Sequence, residues 1–231
     1  MNALSQPTQL ERLVQVPIDS AALEGSLAVP AGAQGIVLFA HGSGSSRHSP
    51  RNRSVAGALQ QAGLATLLVD LLTAEEEAVD RFTAHLRFDI PLLARRLIVA
   101  TEWLAQHPAT QQLRLGYFGA STGAAAALVA AAQCPEAVGA VVSRGGRPDL
   151  AGPALDRVRA PTLLIVGGHD EEVLHLNRLA LKALGAQETQ LTIVPGATHL
   201  FEEPGALEEV AHLAADWFVR YLSPAAAVTR S

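Results

Sequence analysis

The chain has 231 residues, 17% of them charged and 49% of the AVILMFWYC set, a composition that excludes disorder and can bury a sizeable core. Its formal net charge of −5 gives no positive field for a polyanion, and no basic run interleaved with aromatic residues marks a nucleic-acid groove. The single cysteine, Cys134, rules out an intrachain disulfide and a cysteine zinc cluster. With no signal-peptide core at the N-terminus and a longest apolar run (124–132) of about half a membrane span, the expectation is a cytoplasmic protein without membrane contact.

In chain order, residues 10–18 and 23–29, separated by Asp-Ser-Ala-Ala, read as an antiparallel hairpin at one edge of a sheet. Six short runs follow, at 36–40, 64–70, 113–118, 137–143, 162–167 and 191–194. Their near-continuous apolarity suits parallel strands buried on both faces. Helical patterns lie between or after them at 51–62, 90–106, 122–133, 173–184 and 205–222, with Pro108, Pro135 and Gly185 as stop signals. The alternation predicts an α/β fold in one domain over 1–231: a mostly parallel eight-stranded sheet with helices on both faces. The residues from about 223 to 231 read as a flexible tail. The segment from Leu71 to Phe88, which contains Glu75-Glu76-Glu77, reads as a long connection whose acidic run is a solvated face, with a mobile lid as the other reading.

Chemistry concentrates in three loops. Gly119-Ala120-Ser121-Thr122-Gly123 matches G-x-S-x-G where a predicted strand meets a predicted helix. A serine on so sharp a turn needs small residues two places before and after it, because strand and helix approach closely there. A serine hydroxyl is a weak nucleophile, so it requires a base and a carboxylate that holds the base in one tautomer. Asp170 follows one later strand and His199 the next, which gives the order serine, acid, histidine at the carboxyl ends of parallel strands. Asp170 also reads as a helix N-cap, and Glu171 and Glu172 are substitutes for the acid. The third loop is His41-Gly42-Ser43-Gly44-Ser45-Ser46. Its expected contribution is one oxyanion-hole N–H, from Ser43 or from Gly42 or Gly44, with Thr122 supplying the other. A phosphate-loop reading fails, since no Gly-Lys-Ser/Thr is present and no helix opens directly on the loop.

HGSGSSRHSPRN, GYFGASTGAAAALVAAA, LLIVGGHD and PGATHLFEEPGAL together resemble the dienelactone-hydrolase-like branch of the α/β-hydrolases, over nearly the whole chain. The resemblance implies a triad of Ser121, Asp170 and His199, with Ser43 and Thr122 as the oxyanion hole. The namesake enzymes carry cysteine where this chain has Ser121, so the expectation is a related serine esterase. Only 18 residues, 144–161, separate the strand after the nucleophile helix from the strand before Asp170. A cap domain is therefore not expected, and an open cleft for a small ester or lactone is. Arg144 and Arg147 on one side, and Arg47, Arg51 and Arg53 on the other, place arginines at the catalytic edge. Arg144 is the candidate substrate contact, for an ester bearing a negative charge. The same triad would also serve acyl transfer to another acceptor, and the fold alone would serve a non-catalytic binding scaffold. Nothing in the sequence calls for a metal or organic cofactor, and it does not define an oligomeric state.

Overall fold

Strands and helices alternate through the computed structural model, which describes residues 11–19 and 21–224. Strand β1 (Arg12–Ile18) pairs antiparallel with β2 (Ala21–Ala28), and β2 pairs antiparallel with β4 (Ala65–Val69). From there the sheet is parallel, through β3 (Ile36–Ala40), β5 (Leu115–Ala120), β6 (Val138–Arg144), β7 (Thr162–Gly167) and β8 (Thr189–Val194). The order β1-β2-β4-β3-β5-β6-β7-β8 gives eight strands with the hairpin at one edge, the arrangement expected. Ile18 is in register with Ala21, so the hairpin connection is two residues shorter than the four-residue spacing suggests. Leu10, the first residue of the expected hairpin, and residues 225–231 of the expected tail lie outside the described residues.

Two apolar layers clamp the sheet because its central strands are buried along their whole length. Helices α1 (Pro50–Gln61) and α6 (Ala206–Leu222) cover one face, where Val55, Leu59, Val210, Ala214 and Phe218 meet Val37, Phe39, Phe118 and Val142. Helices α3 (Ile90–Gln106) and α4 (Thr122–Gln133) cover the other, where Leu93, Leu97, Ala127 and Leu128 meet Leu38, Leu67, Tyr117 and Val141. Helix α4 is alanine-rich, and every residue from Thr122 to Leu128 is buried. Alanines let it lie close to the sheet, where a larger side chain would force it outwards. Helix α5 (Glu171–Ala183) packs beside β7 and β8. Among the described residues no helix is long and apolar enough to cross a membrane.

The segment read as a long connection is largely helical, which is a correction to the sequence reading. Helix α2 (Ala74–Thr83) occupies its centre, and a 3-10 turn, Leu86–Phe88, ends it. The signal was present in Thr73-Ala74-Glu75-Glu76: Thr73 Oγ1 accepts the Glu76 N–H at 3.2 Å and a Glu76 carboxylate oxygen accepts the Thr73 N–H at 2.9 Å. This reciprocal capping box starts a helix in the segment read as a connection. Beyond α2, buried Asp80 gathers the chain, accepting from the Leu86 N–H at 2.6 Å and from Arg87 Nε at 2.5 Å. Burial alone would raise its carboxyl, but these bonds outweigh it and hold the group below its ordinary value. The acidic run is in part engaged, with Glu76 also paired to Arg96 at 2.7 Å. Two short 3-10 turns that meet at a kink at Gly152, together Pro148–Arg157, link β6 to β7 with no larger insertion.

Candidate active site

The turn between β5 and α4 is built by three backbone constraints. Ser121 has φ 50° and ψ −121°, a region that costs a non-glycine residue on the order of 1–3 kcal/mol. Its N–H donates to the Arg144 carbonyl at 3.2 Å, and its own carbonyl accepts from Arg147 N–H at 3.1 Å. The strained turn is thus fixed by the loop leaving β6. Around it, close approach demands glycine: a Cβ on Gly119 would stand 2.4 Å from Ala124 Cα, and one on Gly123 would stand 2.2 Å from the Ala40 carbonyl oxygen. Backbone occupies both spaces, so relief by side-chain rotation is unavailable. Gly123→Ala should therefore lower unfolding stability by about 3 kcal/mol, by forcing β3 and α4 apart. Urea denaturation with an unchanged midpoint would refute this account of the turn.

Asp170 and His199 enter from the two strands at the far edge. Gly168 N–H donates to Val194 O at 2.9 Å and His169 N–H to Ala197 O at 2.9 Å, which laces the loop after β7 to the loop after β8. Across them His199 Nδ1 meets Asp170 Oδ2 at 2.6 Å. Asp170 stands at the N-cap position of α5 yet makes no capping hydrogen bond; its carboxylate is turned to the imidazole instead. With Nδ1–H donating to Asp170, the neutral ring leaves Nε2 as the acceptor. Glu171 and Glu172, the substitutes considered from sequence, lie in the first turn of α5, and Glu172 contributes to the field at Arg147.

Gly145 connects this pair to Ser121. It lies between Arg144 and Arg147, the two residues bonded to the Ser121 backbone, and a Cβ on it would be 3.5 Å from His199 Nδ1. Among the described residues Ser121 Oγ forms no hydrogen bond, as is common before substrate aligns such a site. On the other side of Ser121 the His41–Ser46 loop closes in, and a Cβ on Gly42 would stand 3.1 Å from Ser121 Cβ.

Ser43 and Thr122 are brought together, in a form the sequence did not suggest. The Ser43 N–H donates to Thr122 Oγ1 at 2.9 Å. The Thr122 N–H opens α4, where the first amides have no intrahelical acceptor and the helix dipole favours negative charge. His41 anchors the loop, since its Nε2 accepts the Leu71 N–H at 3.1 Å. An open groove of about 1320 Å³ runs from this loop towards the β1–β2 hairpin and α2, with His41, Ser43 and Arg51 in its wall.

The five arginines at this edge separate into two groups. Arg47 pairs with Asp70 and, at 2.6 Å, with Glu24; Arg51 pairs with Glu202 at 3.2 Å and Arg53 with Glu11 at 3.0 Å. Arg147 holds Asp149 through two bonds, at 2.9 and 2.8 Å. Arg144 is buried and has no such partner among the described residues. No cluster of histidine, cysteine, aspartate or glutamate suited to a metal occurs among the described residues.

Comparison with known proteins gives two kinds of match. Residues 23–223 match the family described as "Dienelactone hydrolase family". A crystal structure of dienelactone hydrolase from Anabaena variabilis is 64% identical, with TM-score 0.91, covering 93% of this chain and 99% of that one. Est1E from Butyrivibrio proteoclasticus, at 14% identity and TM-score 0.75 over 90% of this chain and 98% of its own, shares the fold. A Mycobacterium tuberculosis protein named putative phosphoribosyl transferase is 60% identical over 222 residues, which are 96% of this chain and 49% of that protein. The chain thus spans about half the length of the curated relatives it matches.

Proposed function

We propose a hydrolase function on the premise that follows from these matches: the chain belongs to the dienelactone hydrolase family. The reaction is cleavage of a small carboxylic ester or lactone through an acyl-Ser121 intermediate. The observation that carries it is the Asp170–His199 hydrogen bond at 2.6 Å, beside a serine held at φ 50° between β5 and α4.

Ser121 Oγ attacks the ester carbonyl while His199 Nε2 takes its proton, and Asp170 stabilises the imidazolium that forms. The oxyanion is met by the Thr122 N–H and the positive end of α4. Ser43 N–H passes to it from Thr122 Oγ1, since a charged oxygen is the stronger acceptor. The carbonyl re-forms as the bond from its carbon to the alkoxy oxygen breaks, and His199 returns the proton to the leaving alcohol. Water attacks the acyl-enzyme, His199 accepts one of its protons, and collapse releases the carboxylic acid and restores Ser121. The short segment after β6 supports an open site for small esters, and the single cysteine supports a reducing, cytoplasmic setting. We assign the phosphoribosyl-transferase name of the longer relatives to the half that this chain does not match.

A fluorophosphonate tests the reading. One equivalent should add covalently, and peptide mapping should locate the adduct on Ser121. An unmodified intact mass after prolonged treatment of folded protein would assign the chain to a binding scaffold.

A further inference from the structure

Three consecutive residues after β6 touch both halves of the proposed triad. Gly145, at φ 50°, donates its N–H to the Ile165 carbonyl at 2.8 Å, and a Cβ on it would meet the His199 carbonyl oxygen at 3.1 Å and the His199 ring at 3.5 Å. Gly146 is wedged between β6 and α4, since a Cβ on it would stand 2.0 Å from Ser143 Oγ and 2.7 Å from Ala124 Cβ. Arg147 donates its N–H to the Ser121 carbonyl at 3.1 Å. The segment therefore has His199 against one end and the Ser121 turn bonded to the other, and a shift of it changes how the two face each other.

The middle of the segment is held from α5. Asn177 Nδ2 donates to the Gly146 carbonyl at 3.0 Å and to the Val173 carbonyl, one turn back along the helix, at 2.8 Å. Asn177 is fully buried, and two bonds from one amino group fix its rotamer. The same helix is opened by Asp170, about two turns earlier, so the acid and the residue that grips Gly146 move as one body. Asparagine is a weak helix former, and Oδ1 of Asn177 is sealed from solvent without a partner among the described residues. The side chain thus does little for α5 itself. Its distinctive contribution is a bond from the helix of Asp170 to the segment that holds Ser121.

We infer that Asn177 is a positioning residue, which sets Ser121 against the Asp170–His199 pair by anchoring Gly146 to α5. Its effect on turnover rests on the esterase reading, whereas the anchor does not. Alignment of reacting groups is sensitive enough that a misplacement of about 1 Å costs about 100-fold in rate.

Two variants test the anchor. Asn177→Ser leaves a hydroxyl that can bond the Val173 carbonyl but is too short to reach Gly146, so it removes the cross-link alone. Asn177→Leu keeps the branch at Cγ and removes both bonds. In each, kcat per fluorophosphonate-reactive site should fall about tenfold to 100-fold, with KM within about twofold of the wild type. Amide hydrogen exchange at Gly145 and Arg147 should quicken in both, while exchange along β5 stays as it was. Leu174→Ala, which removes a buried apolar side chain from the same helix, is the control for lost stability. It should lower the melting temperature yet hold kcat per reactive site within about twofold. Should Asn177→Leu not fold, Asn177→Ser decides the matter. A kcat for Asn177→Ser within about threefold of the wild type, or an equal fall in Leu174→Ala, overturns the positioning role. Unchanged exchange at Gly145 and Arg147 overturns the anchor. Quickened exchange in variants of a protein that reacts with neither fluorophosphonate nor ester overturns the esterase reading and leaves the anchor standing.

Discussion

Ser121→Ala should lower kcat by about 10⁴-fold to 10⁶-fold, a loss of about 5.5 to 8 kcal/mol of transition-state stabilisation. The residual rate comes from the Thr122 amide, the α4 N-terminus and substrate positioning, which the substitution leaves in place. Folding should change little. The hydroxyl forms no hydrogen bond among the described residues, and alanine at φ 50° inherits the same backbone strain without adding to it. Circular dichroism should show a melting transition close to that of the wild type. A folded Ser121→Ala protein retaining more than about a tenth of the activity would remove Ser121 from the mechanism.

Asp170→Asn should cost about 10³-fold to 10⁴-fold in kcat, although it changes a single atom. The present carboxylate accepts from His199 Nδ1–H and so leaves Nε2 free to act as base. An amide that turns its NH₂ towards Nδ1 reverses the bond, placing the ring proton on Nε2 and disabling the base. Geometry is preserved while chemistry is lost, so near-normal KM with collapsed kcat is the expected pattern. Neither Glu171 nor Glu172 should rescue it, because both belong to the first turn of α5 while the imidazole is bonded to Asp170. Activity within about fivefold of the wild type would transfer the acid's role to one of those glutamates.

What could be read from the sequence was whatever is repeated or crowded. Buried parallel strands leave unbroken apolar runs, so 36–40 and 162–167 coincide with β3 and β7, and long helices such as α3 and α4 end where predicted. The turn at Ser121 was legible because close backbone approach admits only glycine at positions 119 and 123. Helix α2 was passed over because it is short, buries only Asp80 and carries an acidic run that reads as a solvated face, although the cap at Thr73 and Glu76 was its signal. At the site, the loops that face one another follow from topology, and the candidate residues from their chemistry. Which side chains bond was beyond reach: that Thr122 Oγ1 takes the Ser43 N–H, or that Arg47, Arg51 and Arg53 find carboxylates, depends on rotamers and on partners tens of residues away.

The strand order also separates the parts of the proposed site widely along the chain and across the sheet. Ser121 belongs to the centre of the sheet, and its turn is held by the Arg144 carbonyl and the Arg147 amide, both of which follow it closely in the chain. His199 follows the edge strand β8, and α6 packs mainly across α1 and β6. Ser121 and the groups at and just after β6 that hold its turn thus precede His199 in the chain, so the strained serine is encoded before the base proposed for it. On the proposed mechanism, ester turnover needs the far edge of the sheet as well as its centre, so activity reports that β8 has joined β7.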